Sequence, residues 1–213
     1  MQLPGTPIKT LPGCSIEPIE IKNTPIMCIL GCLLTEAGKS IKAEMIEQFR
    51  KKYDIIAVNQ EPPGKFFEYP ALSFAQQFSI ITGKPVLYVH TKGAANPKNV
   101  YNQTKVRWLW YNEFISRYND YNTYVSKHIN DVVCPFSGGS QYTWMNGFIA
   151  TPSAWKHVHL RQTFDRYYYE YIFQGTPVKI HGRIMNNVTL YPSKEASTMI
   201  EYINNLAATQ STH

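Results

Sequence analysis

Pro85-Val86-Leu87-Tyr88-Val89-His90-Thr91-Lys92-Gly93 is the stretch that most restricts the fold. Consecutive apolar residues suit a strand covered on both faces, the habit of parallel sheets, and not the alternation of a half-solvated strand. The run stops at three polar side chains and a glycine, so the chain turns at Gly93 and leaves His90, Thr91 and Lys92 at the carboxyl edge of a sheet. In open α/β sheets ligands bind at that edge. A histidine and a lysine two residues apart there form a cationic lip suited to an anion such as a diphosphate. The same polar end also fits a strand that simply meets water.

The preceding sequence repeats the pattern. Residues 26–34 are an apolar run ending at Thr35 and Glu36, and residues 54–60 are apolar until Asn59 and Gln60. Between them Ser40 is expected to cap a helix over 40–52, with Ile41, Met45, Ile46 and Phe49 on one face. Strand, helix, strand is the signature of a parallel crossover. A second helix over 69–82, through Leu72, Phe74, Phe78 and Ile81 and closed by Gly83, leads back to the opening stretch. The polar ends Thr35/Glu36, Asn59/Gln60 and His90/Lys92 should then converge on one cleft.

Downstream, the spacing predicts helices over 104–116 and 121–128, a strand over 131–136 and a flexible turn at 137–140. A strand over 142–150 carries Gly147 inside it, as a bulge or a point of close approach by a ligand. Thr151-Pro152 starts a short helix and Thr163 is placed to cap another over 164–173. Residues 177–191 read as a hairpin turning at Asn186-Asn187, and 194–206 as a last helix. Residues 1–25, with five prolines, read as an extended lead-in.

At 213 residues one domain is expected. It divides into the lead-in 1–25, two halves 26–93 and 94–192, and a C-terminal helix and tail 193–213. Net charge is +6 with no run of five like charges, which suits nucleotides or sugar phosphates and argues against a basic tail. Four irregularly spaced cysteines point to a reducing compartment. No signal-peptide pattern opens the chain, and its longest apolar run is about half of what a bilayer needs, so no membrane span and a cytoplasmic location, that of a host cell if the protein is viral, are expected.

Tyr69-Pro70-Ala71-Leu72, a helix, and then Tyr88-Val89-His90-Thr91-Lys92-Gly93 together resemble a glycosyltransferase family of GT-A fold marked by a Y-x-H-T-K-G strand end. The likeness continues in Trp108, Trp110, Asn130-Asp131, Met145-Asn146-Gly147-Phe148, Asp165-Arg166-Tyr167 and Glu170, over roughly residues 25–175. It implies an α/β, Rossmann-type, mostly parallel mixed sheet flanked by helices, with 26–93 as its nucleotide-binding half and 94–192 as its acceptor-side half. It implies transfer of a hexose or deoxyhexose from a UDP-sugar donor to a glycan or glycoprotein acceptor, in capsid or surface glycan synthesis, with room for further domains beyond residue 213. Thr35, Glu36, Asn59 and Gln60 would face the uridine, and His90, Thr91 and Lys92 the diphosphate. Trp144, Asn146 and Gly147 would face the acceptor. GT-A enzymes usually hold Mn²⁺ or Mg²⁺ on an Asp-x-Asp at this strand end, and this chain has no such motif. Lys92 would itself offset diphosphate charge there, with His90 as first candidate for any divalent cation and His157 and His159 behind it.

An inverting reaction needs a carboxylate to take the acceptor proton. Asp165 is the first candidate, although an Asp in the first turn of a helix also favours the helix dipole without any chemistry. Glu170 is the second, with Arg166 as its competing i+4 partner. Tyr167, Tyr168 and Tyr169 read as packing. A single-stranded nucleic-acid-binding module would use Trp108, Trp110 and the tyrosines for stacking, but the basic residues are scattered, so nucleic acid is not the expected partner. A nucleotidyltransferase would need a metal-binding carboxylate pair. A sugar-binding protein without turnover fits the same residues.

Overall fold

The computed structural model describes residues 11–62, 66, 68–95, 100–138, 142–163, 165 and 168–188. Its strands are β1 (Cys14–Glu20), β2 (Met27–Leu33), β3 (Asp54–Gln60), β4 (Val86–His90), β5 (Val132–Gly138), β6 (Tyr142–Thr143), β7 (Phe148–Ala150) and β8 (Ile180–Val188). Its helices are α1 (Glu36–Phe49), α2 (Tyr69–Thr82), α3 (Val100–Trp110), α4 (Tyr118–Lys127) and α5 (Pro152–Lys156), with a π-helical turn Tyr111–Ser116 continuing α3. The strands join in one sheet in the order β1-β3-β2-β4-β7-β5-β6, and β8 pairs with β5.

The fold is α/β with a mixed sheet, but the expected parallel majority does not hold. Pairs β2–β3, β2–β4 and β5–β8 are parallel, whereas β1–β3, β4–β7, β5–β6 and β5–β7 are antiparallel. The cause is β7, which returns between β4 and β5 against both. The three strands bearing the polar ends do form the parallel unit, and they carry the continuous apolar runs that burial on both faces requires.

One face of the sheet packs Ile29, Val58, Tyr88 and Phe148 against Leu72, Ala75 and Phe78 of α2 and against Trp155 and Phe173. The other packs Leu30, Ala57, Val89 and Ile149 against Ile41, Met45 and Phe49 of α1 and against Trp110, Phe114 and Tyr121. Cys28, Cys32 and Cys134 are free and buried, and burial pushes the Cys32 thiol up to about 12, so it serves as a small apolar group. Among the described residues no helix is long and apolar enough to cross a membrane.

Several local expectations are corrected by tertiary pairing. Part of the lead-in, Cys14–Glu20, is an edge strand on β3, with Pro18 tolerated beside a register shift between Pro18 and Glu20. Helix α1 starts a turn before Ser40, capped by Thr35; an alanine at Gly38 in its first turn would collide with the Leu33 carbonyl, so the helix leaves β2 too tightly for any side chain there. The expected strand 142–150 is broken by a 3-10 turn at Trp144–Asn146, where Met145 and Asn146 take φ of 66° and 53°. Ser137 and Gly138 belong to β5, not to a turn. The hairpin over 177–191 is instead the strand β8, because its parallel ladder with β5 overrides the turn preference of Asn186-Asn187. Of the helix expected over 164–173, the described residues form a 3-10 turn at Tyr168–Tyr171. The helix expected over 194–206 lies outside the described residues.

Candidate functional site at the carboxyl edge

The carboxyl ends of β3, β2 and β4 lie side by side, with Leu33 opposite Gln60 and Gly31 opposite His90. Thr35, Asn59, Gln60, His90, Thr91 and Lys92 therefore come to one edge. Helices α1 and α2 are crossovers within the same parallel unit, so both begin at this edge, where helix N-termini favour anions.

At close range these residues divide by role. Thr35 Oγ1 accepts the Gly38 N–H at 3.0 Å and donates to the Ala94 carbonyl at 2.9 Å. Buried Thr91 ties β4 to β2: its Oγ1 accepts the Leu33 N–H at 3.1 Å and its own N–H donates to the Gly31 carbonyl at 2.8 Å. Gly93, at φ 100°, turns the chain in a conformation that favours glycine, and Arg107 of α3 donates to the Lys92 carbonyl at 2.8 Å. Two positions of the H-T-K-G sequence thus brace the edge, leaving His90 and Lys92 as its chemical groups. Glu36 is exposed and pairs with Lys39 at 2.7 Å. Asn59 Nδ2 donates to Glu17 at 3.0 Å, and Gln60 Oε1 accepts the Phe66 N–H at 3.2 Å.

Helix α2 packs close to β2 beside His90: a Cβ on Gly31 would stand 3.0 Å from Ala71 Cβ and 3.4 Å from both His90 Cβ and the Tyr88 hydroxyl. The imidazole stacks on Tyr88 and meets the edge of Trp110, at centroid distances of 6.1 Å and 5.5 Å. Its Nε2 lies 3.9 Å from Glu68 Oε1, with side chains 14% and 17% exposed respectively, so the pair is withdrawn from water yet reachable. Burial, with the Glu68 charge adding to it, holds the Tyr88 phenol protonated well above its ordinary range.

Glu68 is not among the residues expected at this edge. It occupies the N-cap of α2 but makes no side-chain capping hydrogen bond, and its carboxylate turns to His90. The available signal was a poor capping residue where Ser, Thr, Asp or Asn is the rule.

Among the described residues, Asn59 Oδ1, Tyr88 OH, Trp110 Nε1 and Asn146 Oδ1 are buried without a hydrogen-bond partner. Such atoms are costly unless something polar satisfies them; Tyr88 and Trp110 touch the His90 ring, and Asn146 adjoins Gly147, against which Trp110 lies. Gly147 is not open to a ligand as expected: it is buried, and the Trp110 indole presses against it. Asn146 is 2% exposed, and the Trp144 side chain lies outside the described residues.

Asp165 is exposed and accepts the Tyr171 hydroxyl, with its N–H donating to Thr163 Oγ1 at 3.1 Å. Glu170 lies in the 3-10 turn, its carbonyl accepting from Thr143. Both hang on the segment that presents Tyr169 towards Glu68, but the carboxylate seen beside His90 is Glu68. His157 and His159 line a separate groove with Lys156, Arg161, Tyr168 and Tyr171.

Among the described residues no three His, Cys, Asp or Glu side chains converge as metal ligands. His90 and Glu68 offer one nitrogen and one carboxylate, which do not make the oxygen-rich shell of Mg²⁺. These residues alone do not build a metal centre. Comparison with family models, with curated proteins and with solved structures finds no match to this chain.

Proposed function

We propose that the chain is a glycosyltransferase of GT-A-like fold that moves a sugar from a UDP-linked donor to a glycan acceptor. The observation that carries this reading is the pairing of His90 with Glu68 at the carboxyl edge of β3, β2 and β4, amid buried polar atoms without protein partners. The H-T-K-G resemblance supplies the reaction class, and the two helix N-termini suit a diphosphate.

In this reading the nucleoside lies across the ends of β2 and β3, near Asn59 and Gln60, and the diphosphate lies against His90 and Lys92. An acceptor hydroxyl attacks the anomeric carbon and its proton passes to Glu68, while the bond from that carbon to the diphosphate oxygen breaks. Cationic and hydrogen-bonding groups at His90 and Lys92 stabilise charge developing on the departing UDP. Withdrawal of Glu68 from water strengthens that electrostatic coupling.

A thermal-shift panel of UDP, GDP, CMP and a single-stranded oligonucleotide tests the reading. UDP at a hundredfold excess over its Kd should raise the midpoint by roughly 5–10 °C, and His90→Ala/Lys92→Ala should remove the effect. Stabilisation by the oligonucleotide alone overturns it in favour of a nucleic-acid-binding module.

A further inference from the structure

A second constellation lies away from the donor edge. Between α5 with its following loop and the segment 168–177 runs an open groove of about 540 Å³ that brings together Lys156, His157, His159, Arg161, Tyr168 and Tyr171. Its volume falls in the range of small-molecule sites.

The walls are built and braced. Gln76 of α2 donates from Nε2 to the Trp155 and Val158 carbonyls at 2.9 Å and 2.7 Å, which fixes the loop carrying the two histidines. The Tyr168 hydroxyl donates to the His159 carbonyl at 2.9 Å and ties the walls together. Ile172 of the lining belongs to the apolar core, as does Val158 between the two histidines. Arg161 places its guanidinium carbon 5.0 Å from the centre of the Tyr168 ring, which orients the planar fork over that face. Asp165 stands at the margin, engaged by Tyr171.

We infer that this groove binds an anionic, sugar-sized ligand whose phosphate or carboxylate is held by Arg161 and Lys156, with His157, His159 and the Tyr171 hydroxyl supplying further polar contacts. A fork-shaped guanidinium and an ammonium lining one groove are donors that such groups select. The aromatic rings argue against a single-stranded nucleic acid. Arg161 covers one face of Tyr168, and Tyr171 meets both Tyr168 and Tyr142 edge-on, so they do not present the row of open faces on which successive bases stack. The assignment is independent of the UDP-glycosyltransferase reading.

The test is NMR titration of the full chain, following the imidazole resonances of the six histidines. The probes are glucose 1-phosphate, glucuronate, neutral glucose and a twelve-residue oligothymidylate, each with and without saturating UDP. Glucose 1-phosphate or glucuronate should shift His157 and His159 and leave His90 unmoved, with UDP present or absent; which of the two binds more tightly identifies the anionic group. Arg161→Ala/Lys156→Ala, both at exposed positions, should weaken that binding about tenfold or more without changing the melting midpoint. Equal shifts with glucose, shifts confined to His90, no shift with either anion at about 10 mM, a charge-independent affinity in the double variant, or tighter binding of the oligothymidylate at the same histidines each overturn the inference.

Discussion

Gly147→Ala tests the geometry of the carboxyl edge at its tightest point. The added methyl would stand 2.7 Å from Cε2 and 2.8 Å from Cδ1 of Trp110, and closer still to Nε1. Carbon pairs settle at about 3.5–4.0 Å, so the indole has to retreat by about 1 Å. Trp110 is fully buried and rests against His90, so the ring cannot retreat without moving that imidazole. Overpacking of this kind costs about 1–3 kcal/mol. For a chain of this size each kcal/mol lowers the midpoint by roughly 2–4 °C, which gives a fall of roughly 2–12 °C by calorimetry. UDP affinity should fall with it, because His90 is displaced. Gly175→Ala is the control: φ there is 74° and nothing lies within 4 Å of the added methyl, so it brings backbone strain alone and should leave UDP binding unchanged. A Gly147→Ala protein that melts and binds UDP as the parent does would refute both the Trp110 contact and its link to His90.

Further outcomes follow from individual contacts. Glu68→Gln should abolish sugar transfer while retaining UDP binding, whereas Asp165→Asn should retain most transfer, measured by UDP release; the reverse pattern would restore Asp165 as the base. Glu113 is fully buried and takes Arg183 at 2.6 Å and 3.1 Å, so Glu113→Gln should destabilise the fold by about 3–5 kcal/mol in urea melts, and Glu113→Gln/Arg183→Gln by less than the sum of its parts. Burial foremost, and then the neighbouring His128, lowers the pKa of His181, which stacks on Tyr124. Its neutral form is the folded one, so its contribution is constant above about pH 6.5 and is lost as pH falls from there through the lower folded value. The urea midpoint should therefore drop on acidification more in the parent than in His181→Asn, and an NMR titration should place His181 below the ordinary histidine value.

How much of this was legible in the sequence depended on the range of the physics involved. The runs at 26–34, 54–60 and 85–93 were readable because burial on both faces leaves only apolar residues to choose from, and their polar ends named the edge before any contact was known. Helix α2 was readable from the spacing of Leu72, Phe74, Phe78 and Ile81 and from Gly83, which takes a left-handed turn at its end. What local pattern could not carry was pairing at a distance. The ladder of β8 on β5 and the insertion of β7 between β4 and β5 depend on strands far apart in sequence, and local turn preferences at Asn186-Asn187 were overruled by them.

The candidate site shows the same division at the scale of single residues. His90, Thr91, Lys92 and Gly93 read as one chemical motif because all are polar or special at a strand end. In the fold Thr91 reaches back to the Leu33 N–H and Gly93 turns the chain beside Gln103, so both are fixed by the crowding of β2, β4 and α3. Glu68 shows the converse. Alone in the sequence it is one carboxylate before a Tyr-Pro, without a periodic partner. It acquires a role only because the parallel crossover brings the start of α2 to the end of β4, two strands' width from where β3 ended. A parallel unit places the first residue of each crossover helix beside the last residue of the next strand, so the positions just before such helices deserve the scrutiny usually given to strand ends.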